Sequence, residues 1–457
     1  MSSNLAGRRV LVISGEQVGA RMAGPAIRSL NLARQLAARG AAVTLAMPGP
    51  SDAPPELFDG LTLAAFGTPS LRGFRTLADA HDVVVSQPQR VDVAQGLRGS
   101  SAAIIYDLYV PSFVERIAQL GTEPAAPSLK RRLLERDRLE YATAIELGDA
   151  FICATERQRD HWFGALGQAG RLDLELLERD PRADALCGIV PFGLEDEPPA
   201  PLTPDAPGAL RGTLVPEDAV VLLWTGGLWN WFDPVCVVEA LAQARVREPR
   251  LHLVVMGMRH PEVHWQEQDA SRQLRARAEE LGLLEQGAVV LCEQWVPYAE
   301  RDRFLLDADI AVSAHRDTLE TRLSFRTRFL DQLWAKLPTL TTDGGELTDA
   351  MVARGAARTV AEGDIDAWSD ALVELAASAE TRERMSVASG GLAPEYAWSR
   401  TSEPLARIAA SIRPNGAPRA RRRPLQALRY ALLLIRVRIQ AKGLGSLGAA
   451  LRGAARG

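Results

Sequence analysis

Two stretches in opposite halves of the chain repeat one pattern: apolar strand, glycine turn, proline-led helix, second strand. In the first, Arg9 to Ser14 (RVLVIS) is a short β-branched run, and the following GEQVGARMAGP has little to bury. Pro25 suits the first turn of a helix, Leu30, Ala33 and Ala37 recur at helical spacing, Gly40 supplies the stop, and Ala42 to Met47 is the next strand. In the second, Ala219 to Trp224 (AVVLLW) runs into Thr225-Gly226-Gly227. Asp233 is then placed to cap a helix led by Pro234 and patterned by Val235, Val238, Leu241 and Ala242, before a strand over Leu251 to Met256. Strands joined through a helix run parallel, and such units build open α/β sheets that hold ligands beyond the strands' carboxyl ends. The free N–H groups near Ala26 and Ile27 suit a phosphate or close a tight connection with no ligand; the spacing is neither GxGxxG nor a Walker loop.

The alternation continues between and beyond these units. Further strands are expected at Leu61 to Phe66, Asp82 to Gln87, Ala102 to Leu108, Ala150 to Ala154, Ala288 to Cys292, Ile310 to Ala314 and Thr339 to Thr342. Ser128 to Gly148 and Glu156 to Leu166 read as charge-laced helices with largely solvated faces. Ile189-Val190-Pro191-Phe192-Gly193 reads as strand and turn, and GLEDEPPAPLTPDAPG after it has neither helical nor strand period, which makes it the best linker in the chain. The length of 457 residues suits two to three domains.

Charge is distributed unevenly. Arg413 to Gly457 carries eleven Lys and Arg and no acid, so removing that segment from a net charge of −4 leaves −15 for residues 1 to 412. Its apolar stretch, Leu425 to Ile439, is shorter than the roughly 20 residues needed to span a bilayer and contains Arg429, Arg436 and Arg438. It fits an interfacial helix on an anionic leaflet, or a helix packed on the body or paired in a dimer. With only Tyr430 for stacking, nucleic acid is not expected as a partner. Cys153, Cys187, Cys236 and Cys292 have no metal-ligand spacing and read as reduced core thiols of a cytoplasmic protein. The short apolar run after the first arginines predicts neither a secretory signal nor a span at the N-terminus. His260 and His264 have Pro261 between them and lack a third ligand, and hydrolase signatures such as G-x-S-x-G and HExxH are absent from the sequence, so neither a metal nor a nucleophile is expected.

The densest chemistry lies in His315 to Asp343, HRDTLETRLSFRTRFLDQLWAKLPTLTTD. Polar residues Glu320, Arg322, Ser324, Arg326, Thr327 and Arg328 follow the Ile310–Ala314 strand. A helix bearing Leu330, Leu333, Trp334 and Leu337 comes next and is stopped by Pro338. Arg322 and Arg326, four apart, are expected on one helix face. Asp107, at the end of AAIIYDL, reads as a side chain facing the cleft or as a turn cap.

The ordered set RVLVIS, MAGP, LARQLAARGAAVTLA, VPFG, LLWTGGLWNWFDP, VVMGMRHP, EQWVPY, LSFRTRFLDQLWAKLPTL and AWSRTSEPL resembles bacterial glycosyltransferases of the GT-B fold, with family 4 of the retaining enzymes as the nearest group. The resemblance covers about residues 8 to 410 and implies two Rossmann-like domains facing across a cleft. Its division is 1–196 for the acceptor, a 197–208 linker, 209–395 for the donor nucleotide, a closing helix over 396–412, and the basic tail from 413 to 457. It implies transfer of a hexosyl group from a nucleotide diphosphate sugar to a glycan or glycolipid acceptor in surface polysaccharide or glycolipid assembly. No permanently bound cofactor and no metal are expected, and the tail is available to the inner leaflet. A sugar-nucleotide epimerase and a non-catalytic scaffold subunit share the fold.

Aligned on Leu337-Pro338, the family's second donor glutamate falls on Asp331 and its first on Leu323, with Glu320 three residues earlier as a substitute. The Arg and Lys that usually follow the glycine turn are missing from GGLWNWFDP, so Arg259, Arg322, Arg326 and Arg328 are the candidates to balance the leaving diphosphate. The expected donor site comprises Gly24, Pro25, Gly226, Gly227, Trp229, Asn230, Arg259, Trp295, Arg322, Ser324, Phe325, Thr327 and Asp331. Asp107, Glu320 and Arg326 are expected to act at the reacting centre.

Overall fold

The computed structural model describes residues 4–66, 71–122, 125–258, 268–413, 432–433 and 435–436. Arg259, His260 and His264, and the tail helix proposed over Leu425 to Ile439 apart from those last four residues, therefore lie outside the described residues. Seven parallel strands form the first sheet: β1 (Arg9–Ile13), β2 (Ala42–Pro48), β3 (Leu61–Phe66), β4 (Val83–Ser86), β5 (Ala103–Asp107), β6 (Ala150–Cys153) and β7 (Cys187–Ile189). Their order is β3-β2-β1-β4-β5-β6-β7. The second sheet has β8 (Val220–Trp224), β9 (Leu251–Val255), β10 (Val289–Leu291), β11 (Ile310–Ser313), β12 (Thr339–Thr342) and β13 (Ala357–Val360), in the order β10-β9-β8-β11-β12-β13.

Both sheets reverse their winding beside their first strand, between β1 and β4 and between β8 and β11. The crevice at such a reversal is where helices on opposite faces part and leave the strand ends open. Strands β1, β4, β5, β6, β8, β9, β11 and β12 are almost wholly buried, as continuous runs such as VVLLW require of a sheet covered on both faces. Strand β13 (ARTV) escaped the sequence reading because its centre carries Arg358 and Thr359.

The helix Gly24–Ala38 begins with Pro25 at its first turn and no side-chain cap, leaving its first N–H groups toward the crevice. In the second unit Asp233 accepts from the Cys236 N–H and caps Pro234–Arg245. The chain then returns: Trp398, 1% exposed, enters the first domain's core against Phe192, and its backbone N–H donates to the Leu194 carbonyl. The segment expected to carry Arg322 and Arg326 on one helix instead makes two short helices, Leu319–Leu323 and Arg328–Trp334, separated by extended backbone at Ser324. Thr318 caps the first by accepting from the Thr321 N–H. Arg322 and Arg326 therefore do not share a helix face, and Arg326 turns inward while Arg322 stays exposed.

Candidate functional site

A cavity of about 330 Å³ lies between the two sheets, lined from both domains at the ends of β1, β5, β8 and β10 and along Glu320 to Asp331. The turn after β8 forms part of its floor. Gly226 has φ +74°, which favours glycine, and a Cβ on Gly227 would stand 3.2 Å from the Trp295 ring, close enough that the ring would have to shift. Trp229 lines the cavity and stacks on Trp231 at 5.5 Å and 15°. Two hydrogen bonds tie the domains together at this edge: Trp295 Nε1–H donates to the Met22 carbonyl at 3.1 Å, and the Tyr298 N–H to the Ala20 carbonyl at 3.1 Å. On another wall Gln158 Nε2 donates to the Leu323 carbonyl at 2.8 Å.

Three arginines reach the cavity, each in a different electrostatic state. Arg326 makes a two-pronged pair with Glu320, Nη1 to Oε1 at 2.9 Å and Nη2 to Oε2 at 2.8 Å, and Nη2 also donates to Thr321 Oγ1. Arg301 donates to Asp331 Oδ1 at 3.1 Å, lies 3.7 Å from Glu195, and stacks over Tyr298 and Trp334. Arg328 has no carboxylate partner among the described residues. Its Nη2 donates to the Gly227 carbonyl at 2.8 Å, its guanidinium lies 3.9 Å from the Phe232 ring centre, and its buried Nη1 has no hydrogen-bond partner. Burial and the neighbouring Arg326 push the Arg328 guanidinium down to about 9. That unbalanced cation can bind an anion of phosphate geometry.

The same desolvation acts on the acids. Asp331 is raised above the ordinary aspartate range by the surrounding protein, against the opposing pull of Arg301. Glu115, on the Ser112–Thr122 helix of the first domain, is pushed up to about 8 by burial and then by Glu320. Behind the cavity His315, 0% exposed, is pushed down to about 3 by burial first and by Arg326 and Arg328 next.

Most of the residues expected from sequence converge here: Gly24, Pro25, Gly226, Gly227, Trp229, Trp295, Glu320, Ser324, Phe325, Arg326, Thr327 and Asp331 all line the cavity. Three do not. Asp107, 4% exposed, is held by Arg28 through two hydrogen bonds of 2.6 and 2.9 Å, which places it inside the first domain. Asn230 faces away from the cavity and accepts from the Ala270 N–H. Arg322 is exposed and is not among the lining residues. Arg301, Tyr298 and Glu115 line the cavity without having been singled out. Glu115 had one available signal, an acid in the first turn of a helix opened by Pro111, but its facing partners are set by the other domain. No group of three or more His, Cys, Asp or Glu side chains able to hold a metal occurs among the described residues, and no helix among them is long and apolar enough to cross a membrane.

Residues 219–378, which contain the second sheet, match the model of the family described as "Glycosyl transferases group 1". No curated protein matches the sequence. Among solved structures, WaaG, a glycosyltransferase involved in lipopolysaccharide biosynthesis, is 16% identical, with 90% of this chain and 100% of that one covered at a TM-score of 0.58. Anabaena Alr3699/HepE in complex with UDP and glucose is 14% identical over 89% and 100%, TM-score 0.63. A putative UDP-N-acetylglucosamine 2-epimerase from Listeria monocytogenes is 13% identical over 90% and 99%, TM-score 0.51. The chain has the two-sheet GT-B fold shared by these proteins, and the family match falls on its second domain.

Proposed function

We propose that this GT-B chain, whose second domain carries the glycosyl transferases group 1 match, is a retaining hexosyltransferase of the family 4 type that uses a nucleoside diphosphate sugar. The observation that carries the reading is Arg328: a cation without a carboxylate partner among the described residues, with a buried and unpaired Nη1, in a cavity that also receives the uncapped start of the Gly24–Ala38 helix. A leaving diphosphate supplies the missing charge, and the fixed dipoles around it need no reorganisation as charge develops. Asp331 accepts from the ribose, and Trp229 and Trp295 flank the nucleotide or sugar. Glu320 and Arg326, locked to each other, set the shape of the sugar subsite; the pair leaves Arg326 less free to take a phosphate than the sequence suggested.

In the reaction, an acceptor hydroxyl attacks the anomeric carbon on the face from which the diphosphate departs. The anomeric carbon–phosphate oxygen bond breaks, the new glycosidic bond forms, and the hydroxyl proton passes to the leaving phosphate oxygen, so nucleoside diphosphate and glycoside are the products. The reading needs no metal. Surface polysaccharide or glycolipid assembly is the proposed setting, with the basic tail on an anionic leaflet.

The decisive measurement is calorimetric titration with UDP, GDP and ADP together with mass spectrometry of any co-purified nucleotide, followed by product anomer assignment by NMR. Binding with transfer and retained configuration is expected. Absence of binding to all three nucleotides supports a scaffold role, release of nucleotide without an acceptor supports an epimerase, and inverted product overturns retention. For the tail, residues 1–412 are expected to pellet less with anionic liposomes than the full chain; equal pelleting removes the membrane contact.

A further inference from the structure

The cations lining the cavity are confined to one domain. Among the described residues that line it, the first domain supplies only Glu16 and Glu115 as charged groups, whereas all three cations, Arg301, Arg326 and Arg328, come from the second together with Glu320 and Asp331. The rest of the first-domain wall is uncharged: apolar side chains such as Ile27, Val110 and Phe192, with Tyr109, Gln119 and Gln158 as its other polar side chains, groups able to exchange hydrogen bonds with hydroxyls. Glu115 stands where the two walls approach. The Ser112–Thr122 helix packs against Leu319–Leu323, and its Ala118 rests on the second domain's core. Glu115 thereby shares the cavity with Glu320 and Arg326 of the opposite domain, and both act on its carboxyl electrostatically. On its own helix, Arg116 is engaged by Asp137 at 2.8 Å and Gln119 at 3.1 Å. No hydrogen bond to the Glu115 carboxyl is made by any described residue.

We infer that Glu115 holds a hydroxyl of the acceptor, and that the reacting end of that acceptor is an uncharged, hydroxyl-rich group, as in a neutral hexose, with phosphorylated or carboxylated sugars disfavoured. This deepens the transferase reading and rests on it. With the nucleotide in place, Arg328 is taken by the diphosphate, Arg326 is balanced by Glu320, and Arg301 by Asp331 and Glu195. An anionic acceptor would then lose its water without meeting a cation on the wall it touches, a cost that a neutral hydroxyl group does not incur. A carboxyl raised to about 8 carries its proton at neutral pH, so Glu115 can donate to one sugar oxygen while its carbonyl oxygen accepts from another.

The test uses the full chain saturated with whichever of UDP, GDP and ADP binds most tightly, and saturation-transfer NMR with methyl α-D-glucopyranoside and methyl α-D-glucopyranosiduronic acid, which differ at one carbon. The neutral glycoside should bind at least tenfold more tightly than the uronide. Glu115→Ala should weaken the neutral glycoside at least tenfold, Glu115→Gln should restore most of that loss, and nucleotide affinity should be the same in all three proteins. Equal or absent binding of the two glycosides, or unchanged glycoside binding in Glu115→Ala, overturns the inference. A wild-type chain that binds no nucleotide instead overturns the transferase reading beneath it, and loss of nucleotide binding confined to the variants would show Glu115 to be a structural residue.

Discussion

Arg326 and Glu320 neutralise each other across two hydrogen bonds of 2.9 and 2.8 Å, with side chains only 5% and 2% exposed. The pair bridges the turn between two short helices, and it leaves Arg328, two residues further on, as the cavity cation with no carboxylate partner among the described residues. The division of labour between neighbouring arginines thus depends on which one a single glutamate reaches.

Removing one member of this pair exposes the cost of the other. Glu320→Ala should lower unfolding free energy by about 3–5 kcal/mol because Arg326 stays buried without its partner, and Arg326→Ala should be similarly damaging. The double replacement Glu320→Leu with Arg326→Met should recover much of the loss. Urea denaturation checks this; two single variants as stable as the parent would mean that the pair is open to water in solution.

Arg328 should behave in the opposite way. Arg328→Gln removes a desolvated cation that repels Arg326, so the nucleotide-free protein should be as stable as the parent or more so. Its affinity for a nucleoside diphosphate should fall by about 2 kcal/mol, roughly thirtyfold. The lowered guanidinium holds its charge less firmly than an exposed arginine, so nucleotide affinity should fall more steeply toward high pH in the parent than in Arg328→Gln. Isothermal titration from pH 7 to pH 10 measures both effects, and an affinity unchanged in Arg328→Gln removes the residue from the donor site.

His315 predicts an acid response. Its folded value of about 3 lies below the ordinary histidine value of 6.5, so between those limits the unfolded chain binds more protons than the folded one. Stability at this site is complete above the unfolded value and is lost as pH falls from 6.5 toward 3. Thermal melts of His315→Gln should therefore show a flatter pH dependence over that window than the parent; parallel curves would contradict the assignment.

Asp107 separates architecture from chemistry. Asp107→Asn leaves Arg28, 0% exposed, without its counter-charge, so the protein should lose about 3 kcal/mol or more of stability. At temperatures where it is folded, nucleotide affinity should be unchanged, since Asp107 lies outside the cavity lining. A stable variant defective only in transfer would return Asp107 to the acceptor site.

Much of the architecture is legible in the sequence. Runs such as RVLVI and VVLLW, with Gly226-Gly227, Pro25 and Asp233 at their ends, encode β1, β8 and the helices after them through local sterics and capping, and the two parallel sheets follow. The glycine turns and the Glu320 to Asp331 part of the stretch after β11 were also legible as cavity walls, because residues at the carboxyl ends of parallel strands share one side of a sheet. Strand β13 was not, since two polar residues interrupt its apolar signal.

Pairing was beyond the sequence. Arg28 and Asp107 are far apart in the chain, as are Glu115 and Arg326, and nothing local says that the first two close on each other while Glu115 shares the cavity with Arg326. Sequence determined which elements form and where their polar ends gather, because those follow from periodicity, glycine and proline. Only tertiary structure decided which arginine is neutralised and which keeps an unpaired N–H, because burial and a few ångströms of distance set a charge's strength, and both are supplied by segments remote in sequence.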